Sequence, residues 1–65
     1  MVEFKDLGKN VFKVIKDEEK IGFLERDPIE IHKFRCFDMF GNRIEVKSYP
    51  KEEAVEIIES KNRKF

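Results

Sequence analysis

One cysteine, Cys36, in 65 residues rules out an intramolecular disulfide, a common staple of so short a chain. A domain of this size buries only about 60% of the surface its unfolded form exposes, so it starts near the limit of stability. A structural zinc site needs about four ligands, and the soft-ligand inventory here is Cys36 and His32. What remains is a well-packed core or a partner. Seven phenylalanines supply core material. The expectation is one domain over residues 1–65, with no metal and no cofactor.

Charge is the second constraint. Charged residues make up 43% of the chain and hydrophobic ones 40%, with 14 basic against 14 acidic side chains. High but evenly mixed charge beside ample aromatics reads as a folded domain with a solvated surface, not as disorder. A net charge of zero removes the simplest argument for a polyanionic partner, yet it permits a local basic face. No run approaches the ~18–20 apolar residues of a membrane span, and no signal-like or lipidation pattern stands out. With a lone thiol, the expectation is a cytoplasmic protein without membrane contact.

Alternation then sets the elements. Residues 10–16 (NVFKVIK) put Phe12 and Val14 on one face and Lys13 and Ile15 on the other, a strand pattern rich in β-branched and aromatic residues. Asp17-Glu18-Glu19 is a polar break of hairpin length, and residues 20–26 (KIGFLER) return. Gly22 inside that return strand points to a bulge or a close backbone approach. The register stays open, because a one-residue slip exchanges Ile21 and Phe23 for Leu24 on the buried face. After Asp27-Pro28, residues 29–39 (IEIHKFRCFDM) read as a third strand, with a turn over residues 38–42 where Gly41 and Asn42 tolerate positive φ. Residues 43–48 (RIEVKS) alternate cleanly, with Ile44 and Val46 inward. Residues 2–10, with Phe4 and Leu7 three apart and then Gly8 and Asn10, read as a helical turn or an irregular lead-in.

Residues 50–62 carry the helical period. Pro50 suits the first helical position. Glu52 and Glu53 at the start, with Lys61, Arg63 and Lys64 at the end, complement the macrodipole. Ala54, Ile57, Ile58 and Lys61, flanked by Val55, form the stripe whose apolar members meet the sheet, and Glu59 with Arg63 makes a favourable i,i+4 pair. The fold expected is α+β: a three- to four-stranded antiparallel sheet of two hairpins packed against one C-terminal helix.

Candidates for chemistry are few. His32 and Cys36 would touch on a helix, but on a strand they stand about 13 Å apart at ~3.3 Å per residue. No other histidine exists to act as a base. Cys36 therefore reads as a small buried hydrophobe and His32 as a sheet-edge ring. The carboxylates at residues 17–19 and 52–53 read as a solvated turn and a helix start, and Gly8-Lys9-Asn10 lacks the spacing of a phosphate loop. Neither a catalytic site nor a small-molecule substrate is expected. The informative surface is the outer face of the last hairpin. With Phe34, Cys36, Ile44 and Val46 inward, Lys33, Arg35, Phe37, Arg43, Glu45, Lys47 and Tyr49 face out. A basic β-ribbon of this kind can reach phosphates and base edges.

The stretch Phe34–Ile58, FRCFDMFGNRIEVKSYPKEEAVEII, resembles the arm-type DNA-binding domain at the N-terminus of phage and transposon tyrosine integrases. That family joins a basic strand, a D-x-x-G hairpin turn, a second basic strand and a helix that begins "keeA". The matching residues are Arg35, Asp38, Gly41, Arg43, Lys47 and Lys51-Glu52-Glu53-Ala54. The resemblance covers under half the chain. It implies a sheet in the major groove with the helix behind it, and Lys33, Arg35, Arg43 and Lys47 as DNA contacts. No catalytic integrase domain accompanies the stretch, so the implied role is an accessory or regulatory factor, not a recombinase.

Two readings follow. The first is a non-enzymatic binding module with DNA as the favoured ligand. The alternative is a protein–protein module or inhibitor, or a homodimer from a mobile element. It rests on an apolar surplus: Phe4, Ile15, Phe37, Phe40, Tyr49 and Phe65 exceed what one helix can cover, and exposed patches mark interfaces. Phe37, Phe40 and Tyr49 are its expected contact residues.

Overall fold

The computed structural model describes residues 1–62. Five strands adjoin in chain order, all antiparallel: β1 (Val2–Gly8), β2 (Val11–Lys16), β3 (Glu19–Arg26), β4 (Lys33–Phe37) and β5 (Tyr49–Pro50). One helix, α1 (Lys51–Asn62), packs on β3, β4 and β5. The architecture is α+β as the alternation implies, with one strand more than the upper expectation.

Two strands are unexpected: β1, in place of a helical turn or irregular lead-in, and the two-residue β5, which puts Pro50 in the sheet one residue before the helix instead of at its first position, while the strand expected over residues 43–48 is absent. Residues 2–8 pair along β2 from Val2↔Lys16 to Asp6↔Phe12, and the register then slips between Asp6 and Gly8. Leu7 is thus an extra residue in the ladder. Phe4 and Leu7, three apart, lie on opposite faces as strand alternation requires, so their spacing, which also fits a helical turn, does not mark them as one buried stripe. Asp6 Oδ1 accepts the Gly8 N–H at 2.7 Å, and Lys9 and Asn10 follow at φ 55° and 63°. Two central residues at positive φ match the right-handed twist of a hairpin. Asp17 and Glu18, at φ 51° and 70°, repeat the device between β2 and β3.

A second bulge settles the register of β2 with β3. Val14 opposes Gly22 but Ile15 opposes Lys20, which leaves Ile21 extra. Both Ile21 and Leu24 then reach the interior, while Phe23 passes to the other face. The core is Val14, Ile21, Leu24, Phe34, Cys36, Ala54 and Ile58, with Phe12, Ile44, Tyr49, Val55 and Ile57 packed around it. Burying a Leu, Ile or Val side chain fully is worth about 1.5–3 kcal/mol. Phe12 meets Phe34 edge-to-face at 6.2 Å, and the Arg26 guanidinium lies over both rings. Lys16 Nζ reaches Glu59 Oε2 at 2.9 Å and ties the end of β2 to the helix. The expected Glu59–Arg63 pairing, and Lys64 and Phe65, lie outside the described residues.

One expected strand is shorter than the sequence suggests, and another does not form. Residues 29–32 form an exposed turn, not the first half of a strand. Asp27 Oδ1 accepts the N–H groups of Ile29 (2.8 Å) and Glu30 (3.0 Å), and Lys33 N donates to Glu30 O at 2.8 Å. This Asx turn outcompetes the alternation of Ile29 and Ile31, which stand 88% and 54% exposed. Residues 43–48 contribute only an isolated bridge, Phe37↔Arg43, and an Ile44 N–H bond to Cys36 O at 2.9 Å. Arg43 then folds onto its own loop, with Nε donating to Glu45 O (2.7 Å) and Nη2 to Val46 O (2.9 Å). Ile44 packs against the core, whereas Val46 is 86% exposed, so the inward parity expected of Val46 does not hold.

Asp27 also holds the far side of that loop, since Ser48 Oγ donates to its Oδ2 at 2.6 Å. This bond first, then the Glu30 and Ile29 amides, lowers the Asp27 pKa to about 2 from an ordinary 3.8. A carboxyl depressed on folding contributes stability that is present above its unfolded pKa and is lost as pH falls through its folded one. The denaturation midpoint is therefore expected to fall between about pH 4 and pH 2. Asp27→Asn is expected to flatten part of that slope in a urea titration at stepped pH. An unchanged slope would place the acid sensitivity elsewhere.

Among the described residues no helix is long and apolar enough to cross a membrane.

Candidate functional site

The helix covers one side of the sheet and leaves the other bare. Cross-strand partners share a face, so the bare side is read directly from the ladder. Lys5 opposes Lys13, Lys13 opposes Phe23, and Phe23 opposes Phe37, which in turn bridges to Arg43. One row across the sheet thus runs cation, cation, ring, ring, cation. At about 4.8 Å per strand, Lys5 and Phe37 stand roughly 14 Å apart. The next row holds Val11, Glu25 and Arg35, and on the other side lie Glu3, Ile15 and Lys20.

Beside the two rings is an open groove of about 440 Å³, lined by Leu7, Val11, Phe23, Glu25, Phe37 and Gly41. Its floor is apolar and carries the one carboxylate, Glu25. Gly41 arrives on the 38–42 turn. There Asp38 Oδ1 accepts the Phe40 and Asn42 N–H groups, each at 2.9 Å, and Gly41 takes φ 87°. The Asn42 amide first, with that of Phe40, holds the Asp38 carboxyl below its ordinary range.

The cations on this face differ in how they are engaged. Arg35 Nη1 lies 3.4 Å from Glu25 Oε1, and Lys33 Nζ 3.3 Å from Glu30 Oε1. Lys20 Nζ sits 5.4 Å over the Phe23 ring. Among the described residues no carboxylate lies within ion-pair reach of Lys5 or Lys13. The helix, on the opposite side, carries Glu52, Glu53, Glu56 and Glu59. The helix also carries Lys51 and Lys61, so a net charge of zero conceals a modest excess of cations on the bare face, where Lys5, Lys13, Lys20, Lys33 and Arg35 stand against Glu3 and Glu25.

Of the residues singled out from sequence, Lys33, Arg35 and Phe37 belong to the bare face. Arg43 adjoins it, but its guanidinium is bonded to loop carbonyls. Lys47 is exposed on the irregular loop, and Phe40 is 82% exposed at the turn. Tyr49 is a correction. It opposes Phe34 and packs against the core, so it belongs to the helix side, not to the outer surface.

Comparison of the chain with protein-family models, curated proteins and solved structures finds no match. Lys5, Leu7, Val11, Lys13, Lys20 and Phe23 escape a sequence reading of the site. The signal that could have found them is the glycine-flanked turn Gly8-Lys9-Asn10, which makes residues 2–8 a strand and brings Lys5 opposite Lys13.

Cys36 and His32 are not brought together. Cys36 is fully buried, its Sγ 3.7 Å from Ala54 O, and burial pushes the thiol up to about 11. A thiol so far from ionisation is a poor nucleophile. His32 stands on the exposed turn before β4. Among the described residues no cluster of three or more His, Cys, Asp and Glu side chains is placed to hold a metal.

Proposed function

We propose that this protein is a small, non-enzymatic binding module that takes nucleic acid on the bare face of its sheet, as an accessory or regulatory factor in the cytoplasm. The observation that carries this reading is the Lys5–Lys13 pair. Like charges directly opposed across a ladder are destabilising, by an amount comparable to the ~0.2–1 kcal/mol that favourable pairs contribute. A bound polyanion relieves that repulsion. The neighbouring cations Lys20, Lys33 and Arg35 extend the same field, and the acids of the helix point away from it. The resemblance of residues 34–58 to integrase arm domains points to the same ligand class through Arg35 and the 38–42 turn alone, because residues 43–48, the second basic strand of that family, form a loop here. On this reading Lys33, Arg35, Arg43 and Lys47 form the flank of the surface, with Lys5, Lys13 and Lys20 at its free centre.

Retention on heparin and on immobilised DNA tests it. If Lys5, Lys13 and Lys20 each neutralise one phosphate, log affinity falls with log salt at a slope of about −2 to −3. No retention at low salt would remove the reading.

A second reading, self-association or docking of a protein partner, is favoured by the apolar groove and by the exposure of Phe40 and Val46, 82% and 86%. On that reading Phe37 and Phe40 are the contact residues, and the mass in solution exceeds that of a monomer.

A further inference from the structure

We propose that the bare sheet face selects single-stranded over duplex nucleic acid, with bases lying on Phe23 and Phe37 and phosphates on Lys5, Lys13 and Lys20. This rests on the nucleic-acid reading above and narrows it.

Three observations point the same way. The first is width. The row that holds the rings crosses β1 to β4, three inter-strand steps of about 4.8 Å or roughly 14 Å, whereas the major groove is only about 12 Å wide. A four-stranded sheet of that breadth does not enter the groove as a two-stranded ribbon does. The second is the groove floor. Leu7, Val11, Phe23 and Phe37 offer apolar and aromatic surface, and a duplex has little to set against it, because its base faces are hidden in the stack. A single strand presents those faces, and any base can stack on a ring. Two rings in direct register can carry about two bases, as on other aromatic sheet platforms. The third is which cations are free. Arg35 is paired with Glu25, and Arg43 is bonded to carbonyls of its own loop. Lys5 and Lys13 are in no ion pair among the described residues and stand in the row of the rings, while Lys20, whose Nζ lies 5.4 Å over the Phe23 ring, moves off it onto a phosphate when a base takes its place.

The test uses the full chain with a fluorescently labelled oligothymidine and a blunt duplex of equal length carrying the same label, at matched low salt. The single strand is expected to bind at least about tenfold tighter, since each base–ring contact is worth about 5- to 150-fold. Phe37→Leu keeps the apolar volume but loses the flat face. It is expected to weaken single-strand binding by about 5-fold or more and to leave duplex binding unchanged. Phe37→Trp restores the affinity, and its fluorescence is quenched as a base stacks. Circular dichroism and the urea midpoint of each variant identify any loss caused by unfolding. Equal or tighter duplex binding, indifferent to Phe37→Leu, overturns the single-strand assignment and leaves the nucleic-acid reading standing. Failure of both probes at low salt overturns both. A dimeric mass that reverts to monomer with Phe37→Leu also overturns the assignment, because a second copy of the chain then covers the groove.

Discussion

Gly22→Ala is expected to cost this protein about 3 kcal/mol or more, the upper end of what overpacking a core typically does. A β-carbon built at Gly22 falls 2.5 Å from the backbone oxygen of Phe37 and 2.8 Å from Cγ2 of Ile58. The second contact involves a side chain, but Ile58 is fully buried and has little room to turn. The first involves a carbonyl of β4, which can withdraw only if the strand moves. Gly22 needs no unusual φ, so the penalty is steric and not conformational. At about 0.05–0.15 kcal/mol per residue, a chain of this length has roughly 3–10 kcal/mol of stability in total. One methyl group therefore puts much of the folded population at risk. The urea midpoint of the variant measures the loss. Adding Ile58→Val should not restore it, because that change leaves Cγ2 and the carbonyl in place. A variant within about 0.5 kcal/mol of the parent, the range of neutral surface changes, would mean that the helix does not sit on β3 in this way.

The same position links the two sides of the sheet. Phe37 supplies both the obstructing carbonyl and one of the two rings of the bare face. A strand that shifts to admit a side chain at Gly22 also displaces that ring. Gly22 is thus where helix seating and the geometry of the candidate site depend on one backbone segment.

The legibility of the fold follows from where alternation is intact. Phe12, Val14, Phe34 and Cys36 are read onto the helix side because their neighbours alternate without interruption, and Ala54 and Ile58 because their spacing fits one helical stripe. The remainder is hidden in two ways. β1 (VEFKDLG) is exposed along almost its whole length, so it carries too few apolar residues to show a buried face. The bulge at Ile21 shifts the phase of a period-2 pattern by one and leaves the face of Phe23 open. The opposite error comes from local side-chain bonds. Ile29 and Ile31, then Ile44 and Val46, alternate as strands do. Yet the Asp27 carboxylate and the Arg43 guanidinium supply the hydrogen bonds that a ladder would otherwise provide. The candidate site inherits both effects. Its β4 half, Lys33, Arg35 and Phe37, is visible in sequence. Its other half waits on the pairing of β1 with β2, a register that residues 1–10 do not specify by hydrophobic pattern.

That unseen half gives the second large effect, in which stability and binding move in opposite directions. Lys13 stands directly opposite Lys5, beside Phe23. Lys13→Glu replaces a repulsive cross-strand pair with an attractive one. It is expected to stabilise the fold by about 0.5 kcal/mol, raising Tm by about 2–4 °C in a domain of this size. For nucleic acid the same change removes one phosphate contact and sets a negative charge among those that remain. The salt slope should become shallower by about 0.7–0.9, and affinity at low salt should drop about tenfold or more, since one unit of slope is a factor of ten per decade of salt. Lys13→Gln should fall between parent and Glu on both scales. A surface shaped only by folding would not keep two lysines face to face at a cost in stability, so divergence of the two measurements separates a binding face from ordinary solvated sheet. If Lys13→Glu binds as the parent does, or if its Tm falls, the pair is not being held for an anionic ligand, and the basic row across the sheet carries no function.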